Sequence, residues 1–220
     1  MSNTGFLGAL GYGRFTYRTW DISMQHIDDM ATTHHGQEAY AAQNAIRLLK
    51  IFAYLDHTNI PQELFKNAAE NYMKRDQEEI KTSLLPLSIG LLDYQTLFLN
   101  DEGEWDRIRF LAGIQVLLSF SLIKSHSQLY SMHLLVHTWA QHETAKTDVI
   151  GHYHRARSLL SCSITDDYDD IDNYQFCRLL APHIQAVFVH ETEFKLKACT
   201  LVMIIRSSPL PLILKVTGMK

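Results

Sequence analysis

The sequence predicts a mainly α-helical protein: a helical bundle or winged-helix-like domain with one small β-hairpin, followed by a helix-pair segment. Three observations predict it. Apolar residues recur at spacings of three and four over several long stretches, which is the period of a helix with one buried face. The polar, turn-like KSHSQ of residues 124–128 separates Leu122 and Ile123 from Leu129 and Tyr130, the pattern of a hairpin, or wing. The 220 residues are 46% hydrophobic and 20% charged, which supplies a packed core and argues against disorder.

The elements follow in order. Residues 1–16 read as a flexible lead-in, glycine-rich and without period. Gly8, Gly11 and Gly13 imitate a phosphate-cradling loop, but no strand precedes them and no Gly-Lys-Ser/Thr follows. A helix is expected after Thr19, with Trp20, Met24, Ile27 and Ala31 on one face and Ile22 opposite. A second is expected over residues 37–55, where Ala39, Ala42, Ile46, Leu49 and Ala53 form a stripe that Phe52 and Leu55 widen. DHTNIPQELF then reads as a stop and restart. Pro61 suits a first helical turn, and Glu63 complements the positive helix end. The strongest amphipathic pattern lies in residues 100–123, through Trp105, Ile108, Leu111, Ile114 and Leu118. The hairpin comes next, then a helix in MHLLVHTWAQHE. Beyond Asp148, HYHRARSLLSCSI and YQFCRLLAPHIQAVF read as a helix pair joined by the acidic TDDYDDIDN.

Three histidines crowd into residues 133–142, and they invite a metal reading. At about 100° per residue, a helix places His133 and His137 about 40° apart on the flank beside Ala140, next to a buried face of Met132, Leu135, Val136 and Trp139. His142 falls about 140° from His137 and cannot join them. Zinc needs three or four converging ligands. Leu134 also occupies the acidic position of an HExxH motif, so the pair reads as flank residues that hydrogen-bond their neighbours. HETAK at His142 and HETEF at His190 lack the second histidine of a zincin. The run Asp166, Asp167, Asp169, Asp170 and Asp172 lacks the glycine and terminal glutamate of an EF-hand and reads as a solvated linker. No Walker A loop, GxSxG or Cys-His signature appears, so no catalytic residues are assigned and no enzyme activity is expected.

Charge and cysteine content narrow the partners. The net charge is −4 with no long basic run, which discourages nucleic-acid or anionic-membrane binding. Cys162, Cys177 and Cys199 are odd in number and widely spaced, so neither a disulfide framework nor a cysteine zinc site is indicated. MSNTGFLGALGYGRF has no signal-peptide pattern, and a cytoplasmic location is expected. Residues 194–220 form an atypical apolar segment. Its unbroken run of about eight residues is short of the roughly twenty a bilayer needs.

Three stretches in order, YRTWDISMQHID from Tyr17, AIRLLKIFAYLDHTNIPQELFKNA from Ala45 and YSMHLLVHTWAQ from Tyr130, resemble one region of the fungal NB-ARC proteins. These are STAND-type signalling ATPases related to NOD-like receptors. The region is the helical, winged-helix-like part after the nucleotide-binding core, and the likeness covers about residues 17–143. Met132 and His133 match the first two residues of its MHD motif, with Leu134 in place of Asp. The resemblance implies that His133 reaches toward the β-phosphate of bound ADP and holds the inactive state; Leu134 weakens that role, although fungal members often lack the Asp too. Residues 17–146 would then be the winged-helix-like domain, and residues 147–193 are similar to the lead-in of a tetratricopeptide (TPR) array.

In the family, the P-loop and Walker B strand would lie before Met1. The resemblance therefore implies a fragment or truncated paralogue, with ADP or ATP belonging to the full-length family and no cofactor expected for this chain alone. The implied function is a non-catalytic regulatory or interaction module. Its partners would be its own nucleotide-binding core or other TPR-binding proteins, with neither nucleic acid nor membrane expected. The residues alone leave alternatives open: a winged-helix nucleic-acid binder, a histidine-dependent metalloenzyme, or a folded remnant without independent activity.

Overall fold

A computed structural model describes residues 5–74, 99–164 and 171–193. Among these are seven helices and three short strands: α1 (Gly5–Thr33), α2 (Gln37–Phe52), β1 (Ile60–Pro61), α3 (Gln62–Lys74), α4 (Arg107–Ser119), β2 (Lys124–His126), β3 (Leu129–Ser131), α5 (Leu134–Ala145), α6 (Val149–Ser163) and α7 (Ile171–Glu193). Of the acidic linker only residues 171–173 are described, as the start of α7, and the C-terminal apolar segment and Cys199 lie outside the described residues.

Helix α2 organises the rest. Ala39, Ala42, Ala45, Leu48, Leu49 and Phe52 are buried, and α1, α4, α5 and α6 all pack on it. Helix α1 docks through Ile27, with Trp20, Met24 and Ala31 partly buried beside it and Ile22 in solvent, as its period predicts. Its backbone is helical back to Gly5, through the segment expected to be a flexible lead-in. A helix already nucleated by packing extends at the cost of one residue at a time, so the glycines weaken it without stopping it.

The strands form one antiparallel sheet in the order β1-β3-β2. Among the described residues, α2, β1, α3, α4 and the β2-β3 hairpin, whose second strand pairs with β1, follow in a winged-helix-like order. Ile60 opposes Tyr130 and Pro61 opposes Leu129. Pro61 is therefore a strand residue, one position before the helix it was expected to start. It sits on an edge strand, where a missing N–H costs little, and Gln62 N continues the ladder to the Gln128 carbonyl at 2.9 Å.

The hairpin is where the sequence places it, with its first strand shifted. Leu122 and Ile123 are buried in the core, and pairing falls on the exposed Lys124, Ser125 and His126 that had been read as the turn. Backbone groups make a ladder whatever the side chains, so the apolar pair anchors the chain and the polar residues pair. Ser127 and Gln128 form the two-residue turn with φ of 47° and 65°. Two successive positive φ values mark a type I′ turn, which matches the right-handed strand twist.

Helix α4 is rotated from its expected stripe. Phe110, Gly113, Ile114 and Leu117 face the core, Trp105 lies before the helix in a bridge to Leu99, and Ile108 is 82% exposed. Gly113 decides the rotation. A Cβ there would meet the Asn44 Cβ at 2.9 Å and the Ala45 nitrogen at 3.0 Å, so only glycine lets α4 cross α2 this closely. Asn44 Nδ2 fastens the crossing by donating to the Arg109 carbonyl at 3.2 Å. Beyond the wing, α6 packs against both α3 and α7, and Asn71 Nδ2 donates to the Cys162 carbonyl at 3.0 Å.

Gly113→Ala is expected to destabilise the fold by about 1–3 kcal/mol despite the better helix propensity of alanine. Urea unfolding measures it, with the exposed Gln115→Ala as a control expected within about 0.5 kcal/mol of wild type. Ser127→Asn with Gln128→Gly is expected to raise stability by on the order of 1 kcal/mol, because neither native residue favours positive φ. A higher thermal midpoint with unchanged far-UV circular dichroism is the expected result.

Candidate functional site

The link from β3 to α5 presents His133. Its approach is fixed from behind: Asn59 N donates to Ser131 Oγ at 3.0 Å, Met132 N donates to the His57 carbonyl at 2.7 Å, and the Met132 side chain is buried. The chain leaves the sheet extended at His133 (φ −64°, ψ 140°) and turns into the helix at Leu134. His133 is thus the N-cap of α5 rather than a residue on its flank. Its carbonyl accepts the His137 N–H at 3.0 Å, and its Nδ1 accepts the Leu135 N–H at 3.2 Å.

That cap sets the chemistry of the ring. With Nδ1 occupied as an acceptor, the proton of the neutral imidazole sits on Nε2, and the exposed side chain offers one donor to solvent or a partner. It does so at the partially positive end of a helix, where negative charge is favoured. Leu134 and Leu135 follow it at 57% and 43% exposure. The site therefore combines one hydrogen-bond donor, a positive helix end and two uncovered leucines. Behind it, α5 is clamped to α1 by Trp139, whose Nε1 donates to Asp21 Oδ1 at 2.8 Å and whose ring lies 6.0 Å from that of Trp20.

The three histidines occupy three environments. His137 is 8% exposed, bonds the Leu55 carbonyl through Nε2 at 2.9 Å and lies 5.7 Å from the His57 ring. Burial pushes its pKa below the usual 6.5 against the pull of that carbonyl, and the nearby His57 lowers it further. His142 is exposed and lies 3.8 Å from the neighbouring Glu143. The expected pairing of His133 and His137 on one flank is therefore corrected, because the helix begins after His133. Leu135, expected in the buried face, is in solvent. Histidine is not among the strong N-cap residues, so the sequence carried no capping signal there. The roles of His57 and of His183 on α7 were missed, because both meet their partners only through the fold.

Helix α4, which would enter a nucleic-acid groove in a winged-helix reader, carries Arg107 and Arg109. Arg109 is committed to its own neighbours, with Nε 3.0 Å from the Asp106 carboxylate and a second nitrogen 3.7 Å from Asp101. The remaining exposed positions of that face, Ile108, Gln115 and Ser119, are uncharged. Among the described residues no group of three or more His, Cys, Asp or Glu is placed to hold a metal ion. Among them also, no helix is long and apolar enough to cross a membrane.

No family model matches the chain, and neither does any curated protein or solved structure.

The environment of His137 predicts a pH dependence. Its folded pKa lies below its unfolded value, so its neutral form stabilises the fold fully above about pH 6.5. That contribution is lost as pH falls from there through the lowered folded value, because the unfolded chain takes up the proton first. Urea midpoints measured from pH 7.5 down to about 5.5 are expected to fall, and His137→Gln is expected to flatten the fall in proportion to its one titrating proton.

Proposed function

We propose that this chain is a non-catalytic regulatory module of a STAND-type signalling NTPase of the NB-ARC class. The His133 end of its winged-helix domain docks on a nucleotide-binding core. The observation that carries the proposal is the exposed His133, held by its cap as an Nε2 donor and followed by two uncovered leucines. A core carrying bound ADP would present phosphate oxygens to that donor, while Leu134 and Leu135 would be covered by the core's apolar surface. The resemblance of residues 17–143 to fungal members supplies the identity of that partner. Leu134 at the third motif position leaves the switch with the histidine and without an adjoining carboxylate.

In this proposal the module hydrolyses nothing, since the P-loop and Mg²⁺ groups belong to the partner core. Helices α6 and α7 serve as the start of a TPR array that relays the docked state. A reducing, cytoplasmic setting suits the thiols Cys162 and Cys177. With Arg109 committed to Asp106, Arg107 is the one further basic residue of α4 beside the uncharged Ile108, Gln115 and Ser119, too little positive charge to favour the nucleic-acid alternative.

The test is calorimetric titration of this chain into the isolated nucleotide-binding core of a fungal NB-ARC protein, with ADP and without. Binding that requires ADP and weakens about tenfold or more in His133→Ala is expected, a loss of at least about 1.4 kcal/mol. His133→Asn, which keeps a capping side chain, separates the docking role from the cap, whose loss alone costs about 1 kcal/mol of stability. Binding indifferent to ADP and to both substitutions, or ATP turnover by this chain alone, would overturn the proposal.

A further inference from the structure

The loop between α2 and β1 gathers polar groups that the proposed docking function does not use. From α5, His137 Nε2 reaches the Leu55 carbonyl; from α7, His183 Nε2 reaches the Asn59 carbonyl at 3.3 Å. Asp56 and His57 lie between, with the His57 ring against that of His137. Asn59 holds a left-handed φ of 54°, so its carbonyl is presented by a conformation a non-glycine residue rarely adopts. His183 is 0% exposed, and its Nδ1 is buried without a hydrogen bond.

We propose that His183 and the loop of residues 55–59 form an acid-sensitive latch that holds α7 on the winged-helix domain. The neutral ring fits the site: Nε2 donates to Asn59, and the unprotonated Nδ1 needs no acceptor. A second proton would place an N–H on that sealed nitrogen, which makes no hydrogen bond where it lies. The ring then gains by leaving for water, and α7 must move with it. Helix α7 is built to yield there. Pro182, the preceding residue, removes the helix bond to the Arg178 carbonyl, so the turn that carries His183 lacks one of its own supports. Leu180, Ile184 and Val187 share its buried face and would be uncovered together.

The surrounding charges set the direction. Burial lowers the His183 pKa from 6.5, and it outweighs the Asn59 carbonyl, the Asp56 carboxylate and the Asp56 carbonyl, which favour the charged ring in that order. Burial also pushes Asp56 upward. The Thr58 hydroxyl and N–H, at 2.7 and 2.9 Å, together with His57 and His183, more than offset this and hold its carboxyl below the usual range. Within the loop, His57 packs its ring against that of His137 from α5, and His190, about two turns further along α7, packs its ring 5.3 Å from that of Tyr54. The docked state binds fewer protons than the released one below about pH 6.5, so acidification favours release.

Hydrogen–deuterium exchange by mass spectrometry on the full chain tests this, comparing about pH 7.5 with about pH 5.5 after correction for intrinsic rates. Peptides of α7 are expected to exchange several-fold faster at the lower pH, up to about tenfold, beyond whatever change the peptides of α4 show. His183→Gln, whose amide still donates to Asn59 but does not titrate, is expected to abolish the difference. Asp56→Asn, which removes the charge favouring the protonated docked ring, is expected to enlarge it, and decides the matter if His183→Gln fails to fold. Equal loss of protection in α4 and α7, an unchanged α7, or an acid response that survives His183→Gln or is not enlarged in Asp56→Asn would overturn the latch.

Discussion

The architecture depends on a cluster of four aromatic rings where α2, α3, α4 and β3 meet. Phe65 lies 5.9 Å from Phe52 and 5.0 Å from Phe110, while Tyr130 lies 6.4 Å from Phe52 and 5.9 Å from Phe110. Each ring comes from a different element, so the cluster cannot form until all four are in place. Tilted and edge contacts of this kind add about 0.5–1.5 kcal/mol per pair beyond simple burial. Tyr130 adds a polar lock, its hydroxyl donating to Gln62 Oε1 at 3.1 Å from the wing to the start of α3. Three short strands are marginal by themselves, and this cluster under β3 holds the sheet.

From that lock the site follows by position. Tyr130 fixes β3, β3 fixes Met132 against the His57 carbonyl, and the chain emerges at His133 with no freedom to choose another direction. The same β3 pairs with β1, whose preceding loop presents carbonyls to His137 and His183. The outward-facing cap and the inward-facing histidines are two sides of one strand-to-helix junction. An event that loosens the loop of residues 55–59 would therefore be felt at His133 through two hydrogen bonds, Met132 N to His57 O and Asn59 N to Ser131 Oγ.

Much of the fold was legible because burial leaves a period. The face of α1 through Trp20, Met24, Ile27 and Ala31, and the packing stripe of α2, are where their spacing puts them. The wing was legible from its polar interruption. What misled was apolarity without a partner. Ile108 and Leu135 look like core residues in sequence and stand in solvent, because a side chain's fate depends on whether another element lies over it. The rotation of α4 was hidden for a related reason: its signal is Gly113, a residue with no side chain to contribute to any stripe.

By itself the sequence determined the mainly helical class and the place of the small hairpin. Local period, turn chemistry and composition are properties of short segments, and they survive without knowledge of neighbours. Only the tertiary structure decided that His133 caps a helix, that its Nε2 is the donor it offers, and that His137 is sealed beside His57. The pairing of His183 with Asn59, 124 residues apart, likewise exists only in the fold. Hydrogen bonds and burial at these positions join segments far apart in the chain, and such pairings are set by how whole elements stack, which no local pattern encodes.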